Sequence, residues 1–171
     1  MSRFTTRAVA ERVGISDGTL FRHFGNKREI VLEAMTLLGA DISTSLVDTG
    51  DAHADLQQFF GHRAAFVGAQ GSVGRLIFSD ELVHLAGDQG RECVSTWRRQ
   101  SVGYLLERLR RLRRSGKLRT DLDLPAMGML IQGTLLTFAM QASLGRAGSQ
   151  DELESRIEHA WKALHTVLFK N

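Results

Sequence analysis

Thr19, Arg22 and His23 fall within five consecutive residues, directly after the stretch Gly14-Ile15-Ser16-Asp17-Gly18. Their hydroxyl, guanidinium and imidazole can all donate to phosphate oxygens, and an arginine can also fork onto O6 and N7 of guanine. Carried outward on a short helix, such a set would enter a DNA major groove. The same spacing also describes a compact helical corner whose polar face is merely solvated. Lys27 follows with an ammonium at the start of the next segment.

Other reactive side chains are sparse. His62, Asp80, Glu81 and His84 include one Glu-x-x-His pair, Glu81 with His84. Carboxylate-bridged dimetal sites use two such copies, so neither a metal nor a cofactor is expected. Cys93 is the only cysteine, which rules out an intrachain disulfide and a cysteine-based zinc site. It reads as a small core residue, with a redox thiol as the alternative. Nothing resembles a nucleophile elbow, a phosphate loop or a paired acid and base, so enzymatic activity is not expected.

The elements that must position these groups are helices. The chain has 171 residues, 43% hydrophobic and 24% charged, a formal charge of +3 and a pI near 9.5. That balance permits nucleic acid as a partner without requiring it. No apolar leader or stretch long enough to span a bilayer is visible, so a cytoplasmic protein is expected. Apolar residues recur at helical spacing almost throughout, and alternating β-branched runs are absent, so the fold class is all-α.

Thr5 caps a helix to about Val13, and Ser16 caps a second to Phe24. Gly14 separates them as a turn residue, with Ala10 small enough for close approach and Val9, Val13, Ile15 and Leu20 filling the junction. Gly18, in the first turn of the second helix, leaves its backbone open to a phosphate or a groove wall. Asn26 with Glu29 opens a third helix as a capping box, with Ile30, Ala34, Leu37 and Leu38 on one face. Further helices are expected over 51–69, 73–86 and 91–115, with Gly-Asp-Gln-Gly separating the last two. Pro125 suits the first turn of the next helix, and Ser149 with Glu152 caps a final one through Leu168. The arginines of 91–119 are expected on the wet face of an amphipathic helix seamed by Leu105, Leu109 and Leu112.

The stretch FTTRAVAERVGISDGTLFRHFGNKREIVLEAM resembles the DNA-binding head of TetR-type (TetR/AcrR) transcriptional regulators. The family shows a threonine-led helix, then Ala-x-x-x-Gly-[Val/Ile]-Ser-x-Gly-x-[Leu/Ile]-[Tyr/Phe]-x-His-Phe and a following lysine. Here those positions are Ala10, Gly14, Ile15, Ser16, Gly18, Leu20, Phe21, His23, Phe24 and Lys27. The resemblance implies a helix-turn-helix head over 1–40 and a helical effector-binding and dimerisation domain over 41–171. It implies a ligand-responsive homodimer, a repressor released from operator double-stranded DNA by a small molecule. Carried over, Thr5 or Thr6 would meet a phosphate, and Gly18, Thr19, Phe21 and Arg22 would enter the groove. His23 and Lys27 would each face a backbone phosphate, and Ser16 completes the DNA-contacting set.

Two positions depart from the family. Phe21 stands where tyrosine is common, removing a hydroxyl. Only Met-Ser-Arg-Phe precedes the threonine-led helix, where the family usually has another helix, so the head reads as N-terminally incomplete. An open apolar patch at Val9, Ile15, Leu20 and Phe24 is the expected consequence. The rival reading is therefore a dimeric small-molecule-binding module that holds DNA poorly. By resemblance, helices over about 125–144 and 151–168 pair with their copies, Gly128 and Gly133 permitting close approach; a helix buried within one chain would look similar. Phe59, Phe60, Phe66, Phe78, Trp97 and Tyr104 could line an effector cavity or simply fill the core.

Overall fold

Short-range capping shapes the first three helices. Thr5 is extended, and its Oγ1 accepts from the Ala8 amide at 3.2 Å, opening α1 (Thr6–Val13). Gly14 closes that helix at φ 77°, a conformation that strains any residue with a Cβ. Two residues later the Ser16 hydroxyl accepts from the Thr19 amide at 3.1 Å and starts α2 (Asp17–His23). Asn26 opens α3 (Lys27–Ser43) by accepting from the Glu29 amide at 3.0 Å. Glu29 reciprocates, but its carboxylate takes the amide of Gly25 at 2.8 Å rather than that of Asn26.

The computed structural model describes residues 5–69 and 80–170, without the side chains of residues 80–83. Its remaining helices are α4 (Ala52–Ala69), α5 (Asp80–Arg114), α6 (Leu124–Ser143) and α7 (Gln150–Leu168). Among the described residues all regular structure is helical apart from one antiparallel bridge, Leu118 to Phe169. The all-α reading holds. Pro125 lies in the first turn of α6, and Ser149 with Glu152 forms a complete capping box on α7.

Three expectations need correction. The break between the fifth and sixth expected helices is narrower than Gly-Asp-Gln-Gly: only Gly87 leaves helical geometry, at φ 65° and ψ −149°, and the chain continues as a kinked α5. Asp88 can therefore start the next segment at once. The buried stripe of α3 is Val31, Met35, Leu38 and Ile42, not Ala34 and Leu37; Leu37 is exposed. Periods of 3.6 fit both stripes, and contact with α5 selects the one carrying Gly39. Finally, Arg108 is not on a wet face: it is buried against Asp55.

Packing divides along the chain. Ala10, Leu20 and Ile30 form a small cluster ringed by Val9, Ile15 and Phe24. Leu20 is closed off there, so the expected open patch does not include it; Val13 is the exposed apolar residue of α1. From Val31 onward α3 lies along α5, with Met35, Ala86 and Trp97 at the contact. A methyl group at Gly39 would come within 2.5 Å of Trp97 Nε1, which is why α3 can approach so closely there.

Helix α4 is the hub, packing on α5, α6 and α7. Leu56, Phe59, Phe60, Leu105, Leu109, Ile131 and Leu168 are sealed from solvent around it. Each such Phe or Leu stabilises the fold by about 1.5–3 kcal/mol relative to exposure.

Asp55 and Arg108 are buried beside this core. Arg108 Nε lies 2.9 Å from Asp55 Oδ2, as an ion pair without a directed hydrogen bond between these two atoms. Directed bonds engage the other carboxylate oxygen and one terminal guanidinium nitrogen. Asp55 Oδ1 accepts from Thr49 N and Oγ1 at 3.0 and 2.7 Å, and Arg108 Nη2 donates to the Val47 carbonyl at 2.8 Å. The pair thereby pins the connection between α3 and α4 onto α5.

Candidate nucleic-acid interface

The tight turn at Gly14 frees one face of α2. On it, Arg22 Nη2 donates to Thr19 Oγ1 at 3.1 Å, and Thr19 Oγ1 lies 2.9 Å from Ser16 Oγ. The Ser16 and Thr19 hydroxyls bond to each other, and either can be the donor. Ser16 Oγ also accepts from the Thr19 amide, the bond that caps α2. A row of three side chains thus holds a guanidinium in place at the helix surface. Arg22 retains further N–H groups for an acceptor beyond the protein.

The neighbours of this row are also outward. Phe21 is 45% exposed, and Gly18 and His23 are exposed. A Cβ at Gly18 would meet only Ser16 Oγ, at 3.8 Å, so no packing inside the chain demands glycine there. Thr5 is exposed with its oxygen committed to capping, Thr6 is half-buried in the first turn of α1, and Lys27 opens α3 half-buried. These residues lie on α1, α2, the first turn of α3 and the caps of the first two, which follow one another in the chain. Leu20 and Phe24 instead turn toward the small cluster beneath.

Arg28, which the sequence reading passed over, ties these elements to the rest. Its Nε donates to the Ala86 carbonyl at 3.2 Å and its Nη2 to Gln89 Oε1 at 2.7 Å. The Gly87 kink interrupts the helical ladder, and Arg28 caps the turn that precedes it. No local pattern signals this bond, since its partner lies 58 residues away.

The aromatic residues expected around an effector cavity do not act together. Phe59 and Phe60 are packed core: Phe59 stacks on Tyr104 at 5.3 Å between ring centroids, and Phe60 meets Phe138 and Trp161. The Tyr104 hydroxyl donates to the Val47 carbonyl at 2.7 Å. Trp97 wedges between α3 and α5. Phe78 lies outside the described residues, as do the side chains of Asp80 and Glu81. Among the described members of the set Phe66 lines a cavity, a space of about 360 Å³ between the end of α3 and α4, with Asp41, Thr44, Ser45, His62, Arg63 and Ala65. A lone arginine inside the apolar face of α4 was the available signal for it.

A second, larger hollow of about 850 Å³ runs along α6 and reaches α7, lined by Met129, Leu130, Gly133, Thr137 and Arg156 among others. Beside it Met129, Gly133, Leu136, Met140 and Leu144 recur on one outward stripe, with Met129 69% and Leu144 64% exposed. Gly128 belongs to the opposite face, against Leu105 and Leu106 of α5. Among the described residues no helix is long and apolar enough to cross a membrane, and no cluster of His, Cys, Asp and Glu could hold a metal.

Residues 1–34 match the family model of bacterial regulatory proteins, tetR family. No curated protein matches the sequence. Among solved structures, the ketosteroid transcriptional regulator KstR2 of Mycobacterium tuberculosis is similar over 98% of this chain and 86% of its own. Its identity is 21% and its TM-score 0.76. PfmR, a TetR family transcriptional regulator from Thermus thermophilus, is 18% identical over 92% and 84%, with a TM-score of 0.69. The transcriptional regulator FadR from Bacillus subtilis, in complex with stearoyl-CoA, is 15% identical over 96% and 88%, with a TM-score of 0.65. At these identities the likeness is one of fold.

Proposed function

Because the chain is a TetR-type transcriptional regulator, we propose that it holds operator DNA as a cytoplasmic homodimer and releases it when a small molecule enters its helical body. On this reading it is a repressor, with residues 1–40 as the head and 41–171 as the effector-binding and dimerising body. Helix α3 crosses that boundary and ends at Ser43. The observation that carries the proposal is the row Ser16, Thr19 and Arg22 on an exposed helix face behind a tight turn. Phosphate contacts from Thr5, Thr6, Ser16, His23 and Lys27 fix the register. Arg22 reads a base edge, and Phe21 packs on a sugar or a thymine methyl group.

Two further observations support the remaining parts. The apolar stripe of α6 would expose Met129, Leu136, Met140 and Leu144 to water in a lone chain, and a second copy covers it. Pairing through α6 and α7 sets two heads in register with major grooves about 34–36 Å apart. The cavity between α3 and α4 is of a size that takes a small organic molecule. The stearoyl-CoA held by the Bacillus subtilis FadR supports an effector of that general kind. Entry of a ligand shifts the population toward dimers whose heads no longer match the operator spacing.

Fluorescence anisotropy on DNA flanking the coding region, with random DNA competing, tests this directly. Arg22→Ala is expected to relax sequence preference and weaken specific binding by about 1–3 kcal/mol. Lys27→Ala is expected to weaken all sequences alike and flatten the salt dependence. Equal, sequence-blind losses from both would remove the base-reading role. A dimer that binds no fragment would instead favour a small-molecule-binding module without its own operator.

A further inference from the structure

Arg63 projects from α4 into the cavity between α3 and α4, and every acceptor it holds is neutral. Its Nε donates to Ser45 Oγ at 2.8 Å, and its Nη2 donates to the Ile42 carbonyl at 3.1 Å and to Ser101 Oγ at 3.0 Å. Among the described residues no carboxylate pairs with it, and Nη1 has no protein acceptor. The contrast with Arg108 is plain, since that arginine has Asp55 and Asp48 beside it. Burial pushes the Arg63 guanidinium down to about 10, so it stays charged at neutral pH. A half-buried cation without a counter-charge attracts an anion more strongly than an exposed one does, because less water screens the pair.

The cavity beside it is small, about 360 Å³, with Phe66 and Ala65 as apolar wall and Thr44 and His62 as polar wall. Asp41 also lines it and makes no bond to Arg63, which counts against a ligand of high negative charge. We propose that the effector of this regulator is a small organic monocarboxylic acid whose carboxylate is bound by Arg63. The inference rests on reading this cavity as the effector site, and it adds the ligand's chemical class and the residue that selects it.

The same contact explains how the ligand is felt. Ile42 lies in the last turn of α3 and Ser45 just beyond it, so Arg63 holds that helix end from the neighbouring helix, where a cation suits the helix dipole. A carboxylate competes with the Ile42 carbonyl and Ser45 for the guanidinium donors. An ion pair with a carboxylate is stronger than bonds to neutral acceptors, so Arg63 shifts toward the ligand and loosens its hold on the end of α3, where the Ile42 carbonyl keeps its bond from the Ser45 hydroxyl. The other end of α3 begins at Lys27, in the DNA-facing set.

The test is calorimetric titration of the full chain with monocarboxylates from butyrate to decanoate and with benzoate, each beside its primary amide, followed by the anisotropy assay on DNA. The best acid is expected to bind roughly tenfold or more tightly than its amide, the equivalent of one charge-assisted hydrogen bond. It is also expected to lower DNA affinity. Arg63→Met is expected to bring acid and amide to equal affinity, while Arg63→Lys keeps part of the preference. The amide comparison uses the unaltered chain and decides the matter even if Arg63→Met does not fold. Equal binding of acids and amides, acid binding indifferent to Arg63→Met, or no binding by any acid at millimolar concentration would overturn the inference. If a neutral compound releases the DNA instead, the regulator reading stands and only the carboxylate is lost.

Discussion

Around α2, three buried side chains, Ala10, Leu20 and Ile30, do the work of a core, and each helix start is fixed by a side chain three positions away. Around α4, sealed aromatics and leucines from four helices meet, and a buried ion pair pins a connection to a helix over 50 residues further on. The difference follows from what each region presents. On the proposed reading the surface around α2 meets DNA, so it keeps its hydroxyls, guanidinium and one aromatic ring outward and has little left to bury. Its order comes from caps, each contributing about 1 kcal/mol. The region around α4 exposes little that is reactive and stabilises itself by burial.

The strongest way to break that comparison is Asp55→Ala. It leaves buried Arg108 with only the half-exposed Asp48 as counter-charge and is expected to cost at the low end of about 3–5 kcal/mol in urea denaturation. Replacing both partners, Asp55→Leu with Arg108→Met, is expected to cost much less, because no charge is then stranded. A loss from Asp55→Ala no larger than that of an exposed pair would show that this region does not depend on its buried charges. Ser16→Ala is the counterpart in the N-terminal helices. It is expected to cost about 1 kcal/mol and to speed amide exchange in α2 while leaving α4 protected. Faster exchange in both would mean that the two regions unfold as one.

The smallest expected effect is a pH dependence confined to the far end of the α4 region. His53 packs edge-on against Phe169, Trp161 and His165. Burial, then the charge of His165 and that of Lys117, lowers its pKa below the ordinary 6.5, while Asp51 pulls the other way. The unfolded chain therefore binds the proton more readily. The full stability is present above pH 6.5 and declines as pH falls from there toward the folded value. Melting temperatures at pH 7.5 and 5.5 are expected to differ in that direction, and His53→Gln is expected to narrow the gap. A melting temperature that rises on acidification would reverse the sign of this argument.

Legibility from the sequence follows the same divide. Thr5, Ser16, Asn26 and Ser149 announce their helices because a cap and its amide are only three residues apart. The all-α class is equally plain from the spacing of apolar residues. Arg108 is not: within Arg-Leu-Arg-Arg-Leu-Arg-Arg one arginine looks like the next, and only Asp55 across the interface selects the buried one. Phe59, Phe60 and Phe66 share one helix and one residue type, yet only Phe66 borders a cavity, because what stands opposite each ring decides the matter. Arg63 and Arg28 escape a reading of the sequence for the same reason, as their partners lie on other helices.

Helix α3 also has mechanical consequences. Its 17 residues make a rod about 25 Å long, with the guanidinium of Arg63 at one end and Lys27 at the other. Turning such a rod by about 5° around its Ser43 end carries the far tip through about 2 Å, more than a hydrogen bond tolerates. If the proposed roles of the cavity and of Lys27 hold, leverage of this kind converts a small disturbance at the cavity wall into a missed contact on DNA. Gly39 lets Trp97 sit flush against the rod, and Arg28 ties its far tip to the Gly87 bend of α5, so a swing of that tip must break or carry the Arg28 bonds.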